Sequence, residues 1–197
     1  MQQLQHPNVL QLLGYCIRGE AVVDDPRTML DRAGVVAVYE YGEPINTHKM
    51  KNWSNAQKLS AAWELADLLD YLEHHPAGQF QFGDFKLANF LQFHDRIKTC
   101  DLGWLSADGV RYASCDMTRP DTCELGPCVS GLCHDDTEKL HMHRFQDIFG
   151  DALLTLDGSE SPSTNQKLTL IQARLKRLDI TARELRAELK TTLDGLM

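Results

Sequence analysis

Four polar side chains near the middle of the sequence have the types and spacing needed to handle a phosphate group and a divalent cation. Asp84, Lys86 and Asn89 fall within one short stretch, and Asp101 follows twelve residues after Asn89. Carboxylate and amide oxygens are the ligands that Mg²⁺ prefers, and a lysine ammonium neutralises charge on phosphate. A carboxylate beside such a site can also orient or deprotonate a hydroxyl. Taken singly, these would be ordinary loop carboxylates, but their order and spacing predict a site for phosphoryl transfer.

The pattern D-x-K-x-x-N, which starts at Asp84, is typical of the catalytic loop of protein kinases, and the D-L-G that starts at Asp101 resembles their metal-binding D-F-G motif. In that arrangement Asp84 orients the substrate hydroxyl and Lys86 neutralises charge on the transferred phosphoryl group. Asn89 and Asp101 would each hold a divalent cation, Mg²⁺ or Mn²⁺, that accompanies ATP. The gap between the motifs has room for two short strands.

The elements ahead of these motifs fit the same order. Two runs rich in β-branched and aromatic residues, 8–17 and 35–41, predict two strands joined by the polar loop 18–34. The sequence His6-Pro7-Asn8-Val9 resembles the turn that precedes the fourth small-lobe strand of kinases. Residues 77–105 predict short strands and turns around the two motifs.

The second strand, on a kinase alignment, runs into the hinge that holds the adenine ring. Tyr39 would then be the gatekeeper residue. Glu40 would offer its backbone carbonyl to the adenine amino group, and Gly42 would offer its backbone N–H to the ring. Tyrosine at such a place is more often a core residue than a ligand contact, so this prediction depends on its position before Glu40.

Helices are predicted on both sides of the motifs. Ser54 and Gln57 form a capping box at the start of a helix that ends near 74–76, where a proline stands. A second helix is predicted over 137–156 and a flexible connector over 157–165. Two amphipathic helices then close the chain, and the last of them has a capping box from Thr181 to Glu184. The apolar stripe of the first helix is formed by Leu59, Ala62, Trp63, Ala66, Leu69 and Leu72.

The overall prediction is an α+β, protein-kinase-like fold with a partial small lobe of two strands and a mainly helical large lobe. Residues 1–43 would be the remnant of the small lobe and the hinge, and 44–197 the large lobe. No glycine-rich G-x-G-x-x-G loop and no V-A-x-K strand occurs in these 197 residues. The chain is therefore expected to be a fragment that begins near the end of the regulatory helix, and to bind ATP weakly and transfer phosphate slowly by itself.

Charge and hydropathy exclude several partners. The net charge of −8 disfavours nucleic acid and anionic membrane surfaces, and it favours a neutral or basic peptide segment as substrate. No apolar run has the roughly 18 residues that a membrane helix needs. No signal peptide is visible at the start of this chain.

Six cysteines are unevenly placed. Cys16 and Cys100 stand in apolar surroundings and are predicted to be buried thiols. The other four lie within one stretch and could form disulfides, a metal site or free thiols. A zinc site would use these cysteines with nearby histidines, but the spacings fit a Cys-x₂-Cys knuckle poorly. The clustered cysteines are Cys115, Cys123, Cys128 and Cys133.

Residues 4–156 resemble the divergent protein kinases of the secretory pathway, namely the vertebrate lonesome kinase type and the related divergent protein kinase domain family, and the resemblance is diffuse over the final helices. The resemblance is carried by HPNVLQLLGYC, LADLLDYLEHHPAG, DFKLANF and the cysteine cluster in the activation segment 112–134. It departs from ordinary kinases because Phe82-Gly83 replaces the His-Arg before the catalytic Asp, and no A-P-E follows.

This resemblance implies ATP and a divalent cation as cofactors, a protein substrate, and a location in the Golgi or endoplasmic reticulum lumen or outside the cell. In an oxidising compartment the four clustered cysteines would form two disulfides, whose pairing is left open. The family cue implies tyrosine as acceptor, whereas Lys86 is usual in serine/threonine kinases. The alternative function is a pseudokinase-like binding module, since the phosphate clamp is absent from the sequence.

Overall fold

The structure is a computed structural model that describes residues 4–18, 34–93, 96–102, 105–107, 110–115, 123–158 and 160–196. These residues form helices and small antiparallel sheets, which confirms an α+β architecture. Such an architecture is compatible with a kinase-like fold but is not specific to it. The helices are α1 (Thr47–Lys51), α2 (Asn55–Glu73), α3 (Thr137–Phe145), α4 (Asp151–Leu154), α5 (Pro162–Arg177) and α6 (Ala182–Asp194). The strands are β1 (Leu12–Arg18), β2 (Gly34–Tyr39), β3 (Glu43–Pro44), β4 (Phe80–Phe82), β5 (Phe90–Phe93), β6 (Arg96–Thr99), β7 (Leu105–Ala107), β8 (Val110–Ser114), β9 (Cys128–Val129) and β10 (Leu132–His134).

The first two strands form the predicted antiparallel pair. Leu12 lies opposite Tyr39, and the register runs on to Arg18 opposite Gly34. The first strand starts later than predicted because residues 6–9 form a turn, closed by a hydrogen bond from the Val9 amide to the His6 carbonyl at 3.0 Å. Most of the predicted loop 18–34 lies outside the described residues.

Two further sheets bring the kinase-like motifs to a common region. Strands β3, β5 and β6 form one antiparallel sheet, in which Phe90 lies opposite Thr99. Strands β4 and β7 form another, with Phe82 opposite Leu105. The strand before the D-x-K-x-x-N motif is therefore paired with the strand that follows the D-L-G motif.

Helix α2 begins as the sequence predicts. Ser54 and Gln57 make both hydrogen bonds of the capping box, with the Gln57 amide donating to Ser54 Oγ at 3.2 Å. The buried surface of this helix is wider than the predicted stripe, because α6, α4 and β6 all pack against it. The additional buried apolar residues are Ala61, Leu65 and Leu68.

The predicted helix over 137–156 is interrupted. Helix α3 continues into a five-residue π-helical stretch, Gln146–Gly150, before α4 begins. This irregular stretch contributes Phe149, which is completely buried, to the core. Among the described residues, no helix is both long enough and apolar enough to span a membrane.

The predicted flexible connector over 157–165 is partly wrong. Helix α5 already starts at Pro162, with Ser161 as its N-cap. Asp157 and Glu160 both accept hydrogen bonds from the Asn55 side-chain amide, at 2.6 and 2.8 Å. Asn55 at the start of α2 therefore fixes Asp157 and Glu160, although the composition around them predicts a loop. The capping box predicted at the start of α6 is present.

Candidate functional site

The residues of the predicted catalytic loop form one hydrogen-bonded cluster. The Asp84 carboxylate accepts hydrogen bonds from Lys86 Nζ at 2.7 Å and from Asn89 Nδ2 at 2.9 Å. Asn89 Nδ2 also donates to the Asp84 backbone carbonyl at 2.8 Å, which closes the turn. The carboxylate is thus held in one orientation, as a group must be if it is to position a substrate hydroxyl.

Buried aromatic residues on either side hold this loop in place. Phe82, Phe85 and Phe90 are completely buried, and their rings pack at centroid distances of 5.0 to 5.9 Å. Between these anchors the side chains of Asp84 and Lys86 are 29% and 55% exposed. The alternation of apolar and polar residues in the sequence therefore fixes the backbone while leaving the polar groups accessible.

The electrostatics of the loop favour an ionised carboxylate. The hydrogen bonds from Lys86 and Asn89 lower the pKa of Asp84 below its usual value, and the positive charge of Arg144 acts in the same direction. Asp84 is therefore a carboxylate at neutral pH, able to accept a proton or approach a cation.

Asp101 is linked to the loop through the hairpin between the two motifs. The Cys100 amide donates to the Asn89 carbonyl at 2.9 Å, and Thr99 Oγ1 donates to the same oxygen at 3.2 Å. Asp101 is the next residue and is exposed. The backbone thus joins the two motifs at Asn89, while Gly103 lies outside the described residues.

The predicted hinge is tied to the same hairpin. Glu40 Oε1 forms an ion pair with Lys98 Nζ, and the lysine is itself buried. The Gln11 amide donates to the same carboxylate at 3.0 Å, and the Glu40 amide donates back to the Gln11 carbonyl at 3.2 Å. The Glu40 carboxylate therefore connects Gln11, just before β1, with Lys98 in β6, and its side chain is only 13% exposed.

The other two predicted hinge residues flank this contact. Tyr39 ends β2 and is 49% exposed. At Gly42 the backbone crosses β5 closely, since a Cβ there would lie 3.0 Å from the Leu91 Cβ and 3.1 Å from the Gln92 carbonyl oxygen. A larger residue at this position would therefore require β5 to shift by a few tenths of an ångström. Nucleotide contacts of these residues stay a prediction.

The H-P-N turn near the start of the chain has a structural role. The Asn8 side-chain amide donates to the Ile97 carbonyl at 2.7 Å and to Glu64 Oε2 at 3.1 Å. The Thr99 amide donates to the Asn8 carbonyl at 2.8 Å. This buried asparagine therefore joins the turn, helix α2 and strand β6, which carries the chain toward Asp101.

A completely buried histidine supports the strand that enters the catalytic loop. His141 Nε2 accepts a hydrogen bond from the Phe82 amide at 3.0 Å, so the proton of the neutral ring is on Nδ1. Nδ1 lies 2.9 Å from Glu73 Oε1, to which it donates. Helices α2 and α3 and strand β4 are thus connected by one chain of hydrogen bonds, two residues before Asp84.

Both side chains of this buried pair are uncharged at neutral pH. Burial raises the pKa of Glu73 to about 9, and the nearby negative charge of Glu138 adds to this. Burial lowers the pKa of His141 to about 3, although the Glu138 charge opposes the shift. Desolvation dominates in each case, because no polar solvent reaches either side chain.

The cysteine cluster forms two disulfides, Cys115–Cys128 and Cys123–Cys133. The sulfur atoms of Cys115, Cys123 and Cys133 lie within 4.8 Å of one another, but each is already bonded to another sulfur. Zinc needs thiolates, so this arrangement does not favour the metal alternative. Each disulfide closes a loop of 13 or 10 residues, which corresponds to about 3 kcal/mol of stabilisation by restriction of the unfolded chain.

The prediction that Cys16 and Cys100 are buried thiols is wrong, since both are exposed. Cys16 lies in β1, opposite Val36 of the two-stranded β1–β2 sheet. Cys100 follows the end of β6, where the chain turns outward toward Asp101.

The sequence does not predict the contacts of Lys98 and Arg144, and it offers His141 only as a possible zinc ligand. Each of the three acquires its role from a distant partner. The only sequence signal was a polar residue inside an apolar pattern, which is too common to identify a site.

Comparison with known proteins supports a distant relationship to a kinase family. No protein-family model matches the sequence. The chain is similar to the extracellular tyrosine-protein kinase PKDCC of Homo sapiens, with 27% identity over 158 residues. The match covers 78% of this chain but 30% of that protein, so the chain spans less than a third of the relative's length.

The disulfides predict a specific labelling pattern. Without reductant, an alkylating reagent should label Cys16 and Cys100 in the folded protein and leave the four clustered cysteines unlabelled. Peptide mass mapping should recover Cys115 linked to Cys128 and Cys123 linked to Cys133. Labelling of all six cysteines in unreduced protein from an oxidising host would contradict this arrangement, as would any other pairing.

The buried pair predicts a pH dependence of the free energy of unfolding. Folded Glu73 keeps a proton from pH 4.5 to about 9, where the unfolded side chain has lost it, so its stabilisation is lost as pH rises through that range. Folded His141 lacks a proton from about pH 3 to 6.5, so its stabilisation is lost as pH falls through that range. The two effects cancel between pH 4.5 and 6.5.

Above pH 6.5 only the carboxyl effect remains, with a slope of at most about 1.4 kcal/mol per pH unit. Urea denaturation of Glu73→Gln should show that this alkaline decline has been removed, because the amide stays neutral. Glu43→Gln, at an exposed carboxylate, is the matched control and should keep the decline. An unchanged alkaline slope in Glu73→Gln would show that this carboxyl is ionised in the folded protein.

Proposed function

We propose that this chain is a protein-kinase-like domain that transfers the γ-phosphate of ATP to a hydroxyl group of a protein in the secretory pathway. The observation that carries the proposal is the cluster of Asp84, Lys86 and Asn89, joined through the Asn89 carbonyl to the residue before Asp101. The distant similarity to an extracellular tyrosine-protein kinase supports it.

The donor set fits a nucleotide with a divalent cation. Asp101 offers an exposed carboxylate, and Asn89 offers an amide oxygen while its nitrogen is bound to Asp84. Oxygen ligands of this kind suit Mg²⁺ or Mn²⁺, which would neutralise phosphate charge when bound. On the hinge, the backbone of Glu40 and Gly42 would hold the adenine ring beside Tyr39.

The reaction requires a proton acceptor and a cation at fixed positions. Asp84 would accept the proton of the substrate hydroxyl while the hydroxyl oxygen forms a bond to the γ-phosphorus. The bond from that phosphorus to the β-phosphate oxygen breaks, and ADP leaves. Lys86, whose side chain is 55% exposed, would leave Asp84 and bind the transferred phosphoryl group.

The proposed compartment and substrate follow from covalent chemistry and charge. Two disulfides in one short segment fit an oxidising compartment such as the endoplasmic reticulum or Golgi lumen or the extracellular space. A net charge of −8 favours a neutral or basic peptide as the acceptor. The residues 1–43 and 44–197 would correspond to the end of a small lobe and to a large lobe.

A second function is a pseudokinase-type binding module. It is favoured by the lack of a glycine-rich loop and a V-A-x-K lysine in these 197 residues. Without these groups to hold the phosphates, transfer by this chain alone should be slow. The disulfide-bonded segment would then serve as a docking surface for a partner.

Phosphate transfer from labelled ATP to basic peptides with tyrosine or serine acceptors separates the two functions. We expect slow, Mg²⁺- or Mn²⁺-dependent transfer, reduced about 10²- to 10⁴-fold in Asp84→Asn because the proton acceptor is lost. The exposed Asp147→Asn on the π-helical stretch is the matched control and should retain the wild-type rate. Equal rates in wild type and Asp84→Asn would contradict the kinase proposal and leave the binding module.

A further inference from the structure

Arg144 places a positive charge near Asp84, although it lies sixty positions later in the sequence. The residues before Asp84 are Phe82 and Gly83, so the catalytic loop has no basic residue directly in front of the carboxylate. Arg144 lies on helix α3, one turn after His141, and its positive charge reaches Asp84. Because His141 binds the Phe82 amide, this helix is fixed directly against the start of the loop.

Arg144 also contacts the cysteine-rich segment, by which we mean residues 123–135. Its Nη2 donates to Glu124 Oε2, and His143 Nε2 lies 3.4 Å from Glu124 Oε1. The side chains of Arg144 and Glu124 are only 23% and 24% exposed. A charge-assisted bond in such a half-buried place is stronger than an ion pair in full contact with water.

Glu124 is held rigidly by constraints on both sides. The preceding residue, Cys123, is bonded to Cys133. The following residue, Leu125, donates its amide to Asp135 Oδ1 at 2.9 Å. At Gly126 the backbone lies so close to the His134 carbonyl that a Cβ would overlap it. The carboxylate is therefore already placed for Arg144, so the ion pair costs little ordering entropy.

Segments beside a phosphotransfer site are often ordered by an added phosphate that binds arginine. Here the Glu124 carboxylate already binds Arg144, and the Cys123–Cys133 disulfide fixes the position of Glu124. We propose that Glu124 and Arg144 are positioning residues, whose ion pair holds the disulfide-bonded segment against helix α3 beside the catalytic loop without an added phosphate. The link to catalysis rests on the proposed function, whereas the link to segment order does not.

Hydrogen exchange measures the segment order directly. The reporters are the amides of Leu125 and His134, which donate to Asp135 Oδ1 and to the Pro127 carbonyl. In Glu124→Gln and in Arg144→Gln we expect exchange of these amides to accelerate about tenfold, because one charge-assisted bond is lost. The charge-swapped double variant Glu124→Arg with Arg144→Glu should restore most of the protection.

Lys139→Gln is the matched control, since it removes a cation from the exposed side of the same helix and should leave exchange unchanged. Phosphatase treatment of the wild-type protein should also leave exchange unchanged. Wild-type exchange in both single variants would overturn the proposal, as would a double variant no better than the singles. Acceleration by phosphatase to the level of Glu124→Gln would show that an added phosphate orders the segment.

Peptide phosphorylation separates this inference from the proposed function. If both hold, Glu124→Gln should raise the KM for the peptide about tenfold and leave the KM for ATP unchanged, because the segment and not the nucleotide site is altered. A wild-type protein that transfers no phosphate refutes the proposed function, while the exchange data still decide the role of the ion pair. Equal changes in both KM values would contradict a positioning role confined to the segment.

Discussion

The position of the candidate active site depends on one buried histidine. His141 accepts the amide of Phe82 and donates to Glu73, with no water access to either side chain. A buried backbone amide without a partner costs about 1–3 kcal/mol, so the ring stabilises the observed path into the candidate catalytic loop. The long helix α2, the helix α3 and strand β4 are thereby fixed relative to one another at the residue that precedes Gly83-Asp84.

Uncharged partners make this connection stable. An ionised Glu73 facing a protonated His141 would require two buried charges, which are expensive to remove from water. The neutral pair keeps both hydrogen bonds and avoids that cost near neutral pH. The aromatic cluster around Phe85 and Phe90 fixes the backbone next to Asp84, and hydrogen bonds from Lys86 and Asn89 fix its carboxylate.

Local features of the structure could be predicted from the sequence because they depend on neighbouring residues. The capping boxes at Ser54 and Thr181, the β1–β2 pair and the hairpin between the two motifs are all of this kind. The polar cluster of the catalytic loop follows likewise from a spacing of five residues. Its aromatic supports, Phe82, Phe85 and Phe90, could be recognised only as apolar residues around the polar ones.

Features that depend on distant partners could not be predicted. The disulfide pairing requires the fold of β8 to β10, and four cysteines alone allow three pairings. The positions of Asp157 and Glu160 depend on Asn55, which is about a hundred positions earlier. Cys16 and Cys100 have apolar sequence neighbours, but Cys16 lies in a two-stranded sheet and Cys100 directly follows β6, and both are exposed. The role of Arg144 likewise could not be predicted, because it depends on contact with Glu124, twenty positions earlier.

Titration of ATP into the protein with and without Mg²⁺, followed by the shift in melting temperature, tests the phosphotransfer site most directly. A site built on Asn89 and Asp101 predicts a rise in melting temperature that requires the cation and is abolished in Asp101→Ala, while the exposed Asp151→Asn responds as wild type does. A shift that is independent of Mg²⁺ and unchanged in Asp101→Ala would contradict the site, and so would the absence of any shift at millimolar ATP.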